Sequence, residues 1–413
     1  MVKFMQFIQP FKSYSKFKSY PKWSFLWHPI LITYLASCGG GGGNSPVTTN
    51  NPPYDASVIT DLDYTLGTPS TNTDNIASLL SSNDETREYQ SDNSSPVYPL
   101  YPSPSAAHSA LNAGFDYPIA ARDTNAIEVW QDGWTGLGQT IGFIDKFDVD
   151  NGFDNETGLI TVISENDAIN SHGERVAFVA NSVAPEADFI WYNVIERTGL
   201  SFEERFNLVE NASIALENAG ALIINNSWNV LRRDDTPDSF WESNITALQN
   251  LLANQDHIYS DEMLFIYSGG NIFEGGCPFK KIDECDVTAK TIYENRILGI
   301  ADNRVRMWVG SVDEQNLITS YSIEAGKMAN DFLVAPDDIL SAGDAEGTSL
   351  AAPRVSGAAA LLNQKFPNLD GNDIKNILLQ TADDLGQEGI DDIYGYGLLD
   401  LSNAISPIGS LTE

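Results

Sequence analysis

From residue 106 onward, short apolar runs alternate with longer stretches in which apolar residues recur every three or four positions. "QTIGFID", "ALIINNSW" and "EMLFIYSGG" have strand length, whereas "SFEERFNLVENASIALENAG" and "SNITALQNLLANQ" have helical spacing. In the first helical stretch Ser201 and Glu204 stand as a capping box, Phe202, Phe206, Val209 and Leu216 form the apolar stripe, and Gly220 is the stop. Strands alternating with amphipathic helices predict βαβ units, hence an α/β, three-layer fold with a mostly parallel sheet and helices on both faces. In such a sheet functional groups gather beyond the carboxyl ends of strands. Asp145, Ser227 and Asn271 all fall there.

Before residue 106 the pattern is different. Residues 1–37 begin with five lysines and no acid, continue through the apolar stretch Trp23 to Leu35, and close on small residues, the order of an export signal. The apolar stretch is shorter than the roughly 20 residues a spanning helix needs. "LASCGGGGGNS" resembles the lipobox of bacterial lipoproteins, which implies cleavage before Cys38, a lipid on that cysteine and a membrane anchor. By the same resemblance Gly39 after the cysteine implies the outer membrane of a diderm cell. Residues 38–105, rich in Gly, Ser, Thr, Asn, Asp and Pro, are expected to be a flexible tether, leaving 106–413 as the folded domain.

Charge narrows the partners. With 23 basic against 57 acidic residues the net charge is -34, a surface that repels nucleic acid and suits an exported protein. Two further cysteines, Cys277 and Cys285 in "GGCPFKKIDEC", most simply close a small disulfide loop in an exported chain; a metal pair fits less well, with no third Cys or His nearby.

The chain has four histidines, and only His172, in "NSHGERVAFVANSVAP", opens a small-residue helix inside the domain. With Asp145 upstream and Ser349 in "GDAEGTSLAAPRVSGAAALL" downstream, it completes the order Asp, His, Ser. A hydroxyl becomes a nucleophile when a histidine takes its proton and a carboxylate orients that histidine. The opening of the Ser349 helix also allows a plainer reading, with Thr348 or Ser349 as N-cap and Pro353 in a turn that has no N–H partner to lose.

At these segments the chain resembles the subtilisin-like serine peptidases (subtilases). "WTGLGQTIGFID" is similar to the family's Asp segment, "NSHGERVAFVA" to its His segment and "EGTSLAAPRVSGAAALL" to its Ser segment. "NNSW" resembles the cleft strand, "SGGN" the oxyanion segment, and "FLVAPDDILSA" the approach to the serine, in order over about residues 115 to 405. The resemblance implies a serine endopeptidase with Ser349 as nucleophile, His172 as base, Asp145 as its orienting partner and Asn271 as oxyanion donor. Ser227, Trp228 and Asn229 would line the substrate cleft, with a protein or peptide as substrate and a monomer expected.

Several positions depart from the family: Lys146, Phe147, Arg175, Phe178, Leu350 and Arg354 replace smaller residues, histidines or a methionine. Arg175 and Arg354 are expected near acidic side chains such as Glu346. These departures sustain an alternative, a catalytically impaired subtilase fold serving as a lipid-anchored binding protein. No cofactor is expected. A structural calcium is common in the family, but "DKFDVDNGFDNE", with Asp148, Asp150 and Asp154, lacks a full ligand spacing, so no metal residue is assigned. No barrel-like segment is seen toward residue 413, and self-transport is not expected.

Overall fold

Apolar runs alternating with amphipathic stretches can bury their strands only in a sheet covered on both faces, and that is the arrangement found. The computed structural model describes residues 65–71, 120, 124–147, 159–160, 172–193, 201–227, 237–253, 257–272, 279–298, 304–337 and 347–406. All lie within one compact unit, Asp55–Glu413.

The strands are β1 (Thr140–Asp145), β2 (Leu159–Ile160), β3 (Asp188–Asn193), β4 (Ile223–Asn226), β5 (Leu264–Ser268), β6 (Val305–Val312) and β7 (Phe332–Pro336). They form one sheet in the order β2-β3-β1-β4-β5-β6-β7. Every neighbouring pair is parallel except the two-residue edge strand β2, which runs antiparallel to β3. The chain steps from β1 outward to β3 and then across to β4, so the order reverses at β1. A crevice opens beyond the carboxyl ends of strands at such a reversal.

Side chains alternate along each strand and feed two cores. Ile141, Phe143, Ile223, Leu264, Ile266 and Val309 face α1 (Ala126–Gln131), α2 (His172–Val183) and, further along the chain, α7 (Thr348–Lys365), α8 (Gly371–Gln380) and α9 (Leu401–Ala404). Ile144, Ile224, Phe265, Tyr267 and Trp308 face the opposite helices, among them α3 (Phe202–Asn218) and α6 (Val287–Leu298), with the short α5 (Ile282–Cys285) before the latter. Between them α4 (Asp238–Ala253) packs Trp241, Ile245 and Leu248 against Phe202 and Phe206 of α3.

The capping box at α3 forms as the spacing predicts: Ser201 Oγ accepts the Glu204 N–H and Glu204 Oε2 accepts the Ser201 N–H. Gly220, at φ +91°, ends the turn that follows. Helix α4 starts five residues before the "SNITALQ" stretch, because Trp241 needs burial and Pro237 offers its carbonyl to the Phe240 and Trp241 amides.

Helix α7 is buried over nearly its whole circumference, packed on β4, β5, β6 and β7 and against α2. Ala351, Ala352, Gly357, Ala358 and Ala359 make this close approach possible; a Cβ on Gly357 would lie 2.6 Å from the Val183 side chain. At its far end Gln364, 3 % exposed, uses all four of its amide bonds. Its Oε1 accepts the Thr135 and Gly136 amides, and its Nε2 donates to the Thr68 and Gly133 carbonyls. Gly67 N–H caps the Lys365 carbonyl at 2.7 Å and Ser70 N–H reaches Gly133 O at 2.7 Å. Residues 65–71, expected within a flexible tether, are therefore strapped onto the C-terminal end of α7. Composition missed this because the strap is held by backbone groups and one distant glutamine, not by apolar side chains of its own.

Candidate active site

Asp145 ends β1, Ser227 follows β4 and Asn271 follows β5; parallel strands bring all three to one edge of the sheet. Asp145 is buried (4 % exposed) and its Oδ1 accepts the Lys146 N–H at 2.7 Å. The turn after it is clasped by Asn193 at the end of β3: Phe147 N–H donates to Asn193 Oδ1 at 3.1 Å, and Asn193 Nδ2 donates to Phe147 O at 2.9 Å. Asn193 was not singled out in the sequence; β3 itself has no amphipathic signal that marks its last residue.

His172 is the first residue of α2. Its Nδ1 lies 2.8 Å from Asp145 Oδ1 and 3.0 Å from Oδ2. A carboxylate only accepts, so Nδ1 donates in this contact, and in the neutral ring that tautomer leaves the lone pair on Nε2. The ring is 37 % exposed, so it has access to a substrate while its carboxylate partner is shielded. The glycine after His172 serves this contact by close approach, not by an unusual turn: Gly173 N–H donates to Lys146 O at 2.9 Å, and a Cβ there would sit 2.6 Å from the Phe147 ring. Phe147 meets Trp191 edge-on at 6.3 Å between centroids, and it and Phe178 are both buried in the core shared with α2. Phe147 thus fills the space beside Gly173 at the start of α2, and Phe178 belongs to the core behind it. Lys146 is exposed, and Leu350 is buried in the same core.

Ser349 is the second residue of α7. Neither it nor Thr348 caps the helix. The N-cap is Gly347, which has no side chain, and the capping acceptor comes from the segment after β5: Asn271 Oδ1 takes the Thr348 N–H at 2.9 Å and the Thr348 Oγ–H at 3.0 Å. Thr348 Oγ1 in turn accepts the Gly270 N–H at 2.9 Å. These bonds fix which way the Asn271 amide faces. Its oxygen is committed to α7, and its nitrogen lies on the side where a Cβ of Gly347 would be 2.8 Å from it and 3.5 Å from Ser349 Oγ. Only a glycine at 347 leaves that space open.

Pro353 is not in the first turn, contrary to the plainer expectation. It stands four residues after Ser349, where its missing N–H orphans the Ser349 carbonyl. Ser227 Oγ–H supplies the lost bond at 2.9 Å, and Ser227 is held by Asn225 Nδ2 at 2.9 Å, whose Oδ1 accepts Ser356 Oγ–H at 3.0 Å. Ser227 is 4 % exposed and its hydroxyl is turned toward the Ser349 backbone. Its hydroxyl therefore supports Ser349 and does not line the cleft.

Arg354 is fully buried, with Nη1 donating to Leu350 O at 3.0 Å, and Arg175 is half-buried on α2. Glu346, the acid expected beside them, lies outside the described residues, as do Trp228, Asn229, Cys38, Cys277, Asp148, Asp150 and Asp154. Among the described residues no hydrogen bond joins His172 to Ser349, a bond that often tightens only with substrate in place. No group of three or more His, Cys, Asp or Glu among them could hold a metal ion.

The chain is similar to proteins of known kind over much of this region. The Neisserial autotransporter lipoprotein NalP of Neisseria meningitidis serogroup B is 29% identical over 273 residues, covering 56% of this chain and 25% of that protein. An extracellular serine protease of Serratia marcescens is 45% identical over 64 residues, 16% of this chain and 6% of that protein. This chain thus spans a quarter or less of the length of these relatives. The crystal structure of MycP1 from Mycobacterium smegmatis aligns with 18% identity and a TM-score of 0.45, over 70% of this chain and 84% of that one. The model of the subtilase family (peptidase S8) matches residues 47–397, which include Asp145, His172, Asn271 and Ser349, and on that match the chain belongs to the subtilase family.

Proposed function

We propose that the protein is a serine endopeptidase that cuts peptide bonds through Asp145, His172 and Ser349. The observation that carries the reading is the Asn271 amide: with Oδ1 engaged by Thr348, its Nδ2 is the donor left for the site. A substrate carbonyl attacked by Ser349 Oγ becomes an oxyanion, and Asn271 Nδ2 and the Ser349 N–H are its donors. His172 Nε2 takes the hydroxyl proton and the charged ring is stabilised by Asp145; the same proton then passes to the leaving amine. Water repeats the sequence on the acyl-enzyme and frees the second product. The dipole of α7 favours the negative oxygen at its N-terminus. By the family resemblance Trp228 and Asn229, outside the described residues, would line a cleft in which the peptide adds as a strand.

Export is part of the same proposal, with residues 1–37 as signal and Cys38 as the lipidated anchor holding the enzyme at the outer membrane. The names of the relatives, an extracellular protease and an autotransporter lipoprotein, support export. No helix among the described residues is long and apolar enough to cross a membrane. The Cys277–Cys285 bridge belongs here too; Cys285 is buried and disulfide-bonded.

The test is labelling of the purified protein by a fluorophosphonate probe, together with digestion of a disordered protein by wild type and Ser349→Ala. Labelling and cleavage by the wild type alone are expected. A wild type that neither labels nor cleaves leaves the binding-protein alternative in its place.

A further inference from the structure

Two residues given no role so far, Asp337 and Tyr321, complete a closed circuit of hydrogen bonds and chain neighbours around the oxyanion donors. Asp337, just past β7 and 4 % exposed, accepts the Gly347 N–H at 2.7 Å on Oδ2. The same oxygen accepts the Tyr321 O–H at 2.6 Å. The backbone carbonyl of Tyr321 accepts the Ile272 N–H at 2.6 Å, and Ser322 is bridged to Asn271. The path runs from Asn271 to Thr348, to Gly347, to Asp337, to Tyr321 and back through Ile272 to Asn271.

We infer that Asp337, clamped by Tyr321, is a positioning residue that sets the spacing between the Asn271 amide and Ser349 by holding the Gly347 amide. The inference rests on the peptidase reading of this site. Three physical points carry it. First, a buried carboxylate is costly unless strong donors satisfy it, and charge-assisted bonds at 2.6 and 2.7 Å are of that kind. Second, the bond is made by the residue whose position leaves no slack, since Gly347 sits where a single added carbon would be 2.8 Å from Asn271 Nδ2. Third, Tyr321 is held as a donor: burial, followed by its bond to the Asp337 carboxylate, pushes its hydroxyl pKa above the ordinary value. An oxyanion hole works only when its donors are preorganised, and a displacement of about 1 Å can cost about 100-fold in rate.

The experiment compares Asp337→Ala, Asp337→Asn, Tyr321→Phe and the double variant Asp337→Ala/Tyr321→Phe on a peptide substrate, with thermal unfolding and hydrogen exchange of the peptide spanning 337–350. Asp337→Ala is expected to lower kcat about 10- to 100-fold with KM changed by less than about twofold. Asp337→Asn keeps an acceptor for Gly347 and is expected to stay within about threefold of wild type. Tyr321→Phe is expected to cost about 3- to 10-fold alone and almost nothing when Asp337 is already alanine. The inference is overturned if folded Asp337→Ala keeps the wild-type kcat, if the Asn variant fails as the Ala variant does, or if the two losses simply multiply. An inactive wild type would instead sink the peptidase reading. Exchange over 337–350 then decides for Asp337 by itself: faster in Asp337→Ala supports the clamp, unchanged removes it.

Discussion

Ser227 Oγ–H donates to the backbone carbonyl of Ser349 at 2.9 Å, across 122 residues of sequence. It replaces the helical bond that Pro353 cannot make, so the Ser349 peptide is held from the neighbouring strand end and not from within its helix.

Removing that hydroxyl leaves a part-buried carbonyl without this donor. Ser227→Ala is expected to destabilise the fold by about 1–3 kcal/mol in chemical denaturation. Pro353→Ala restores an N–H four residues after Ser349, and in that background the Ser227→Ala cost should fall by at least about half. Equal costs in both backgrounds would show that the bond is not a replacement for the missing one.

The Asn271 amide predicts a rate effect. Asn271→Ala should lower kcat about 100- to 1000-fold with little change in KM, since the donor acts on charge that develops only in the transition state. It also removes the cap of α7, at about 1 kcal/mol of stability. Gly347→Ala places a carbon 2.8 Å from Asn271 Nδ2 and should produce a comparable loss, with the double variant scarcely worse than either single one.

Asp286 caps α6 by accepting the Ala289 N–H at 2.8 Å, while its Oδ2 has no partner among the described residues. Burial pushes its carboxyl up to about 7. A carboxyl that resists ionisation only when folded gives the folded state more bound protons between its unfolded and folded pKa values, so stability falls as pH rises through that window. Asp286→Asn should therefore raise the melting temperature above wild type at pH 8, and the difference should vanish near pH 4. A difference that is constant with pH would remove the titration from the explanation.

Gln364 joins the strap to the end of α7. Gln364→Leu leaves the Thr135 and Gly136 amides and the Thr68 carbonyl unpaired, and is expected to cost about 2–4 kcal/mol. Limited proteolysis should then cut near residues 65–71 in the variant and spare them in the wild type. Equal cutting in both would mean that the strap is not held by this side chain.

How far the chain could be read in advance varied with the range of the interaction. The strands β1, β4 and β5, the capping box at Ser201 and Glu204, and the buried small-residue helix after Ser349 were legible, because each rests on periodicity or on bonds within a few residues. So was the order Asp145, His172, Asn271, Ser349, because each lies in a short segment of distinctive residues at a strand end or helix start. Strand β3 and the clasp of Asn193, the edge strand β2, and the early start of α4 were not legible, since their apolar residues serve neighbours far along the chain.

The roles inside the site belong to the tertiary structure alone. Thr348 and Asn271 are 77 residues apart, and Gln364 and Thr68 are 296 apart. Which way an amide turns, whether a serine faces a cleft or a carbonyl, and whether an aspartate reaches Gly347 all depend on the register of the parallel strands. That register is set by packing on two faces at once. By itself the sequence determined which residue types stand at the sheet's working edge; the fold decided which of them point into the site and which of them hold the others still.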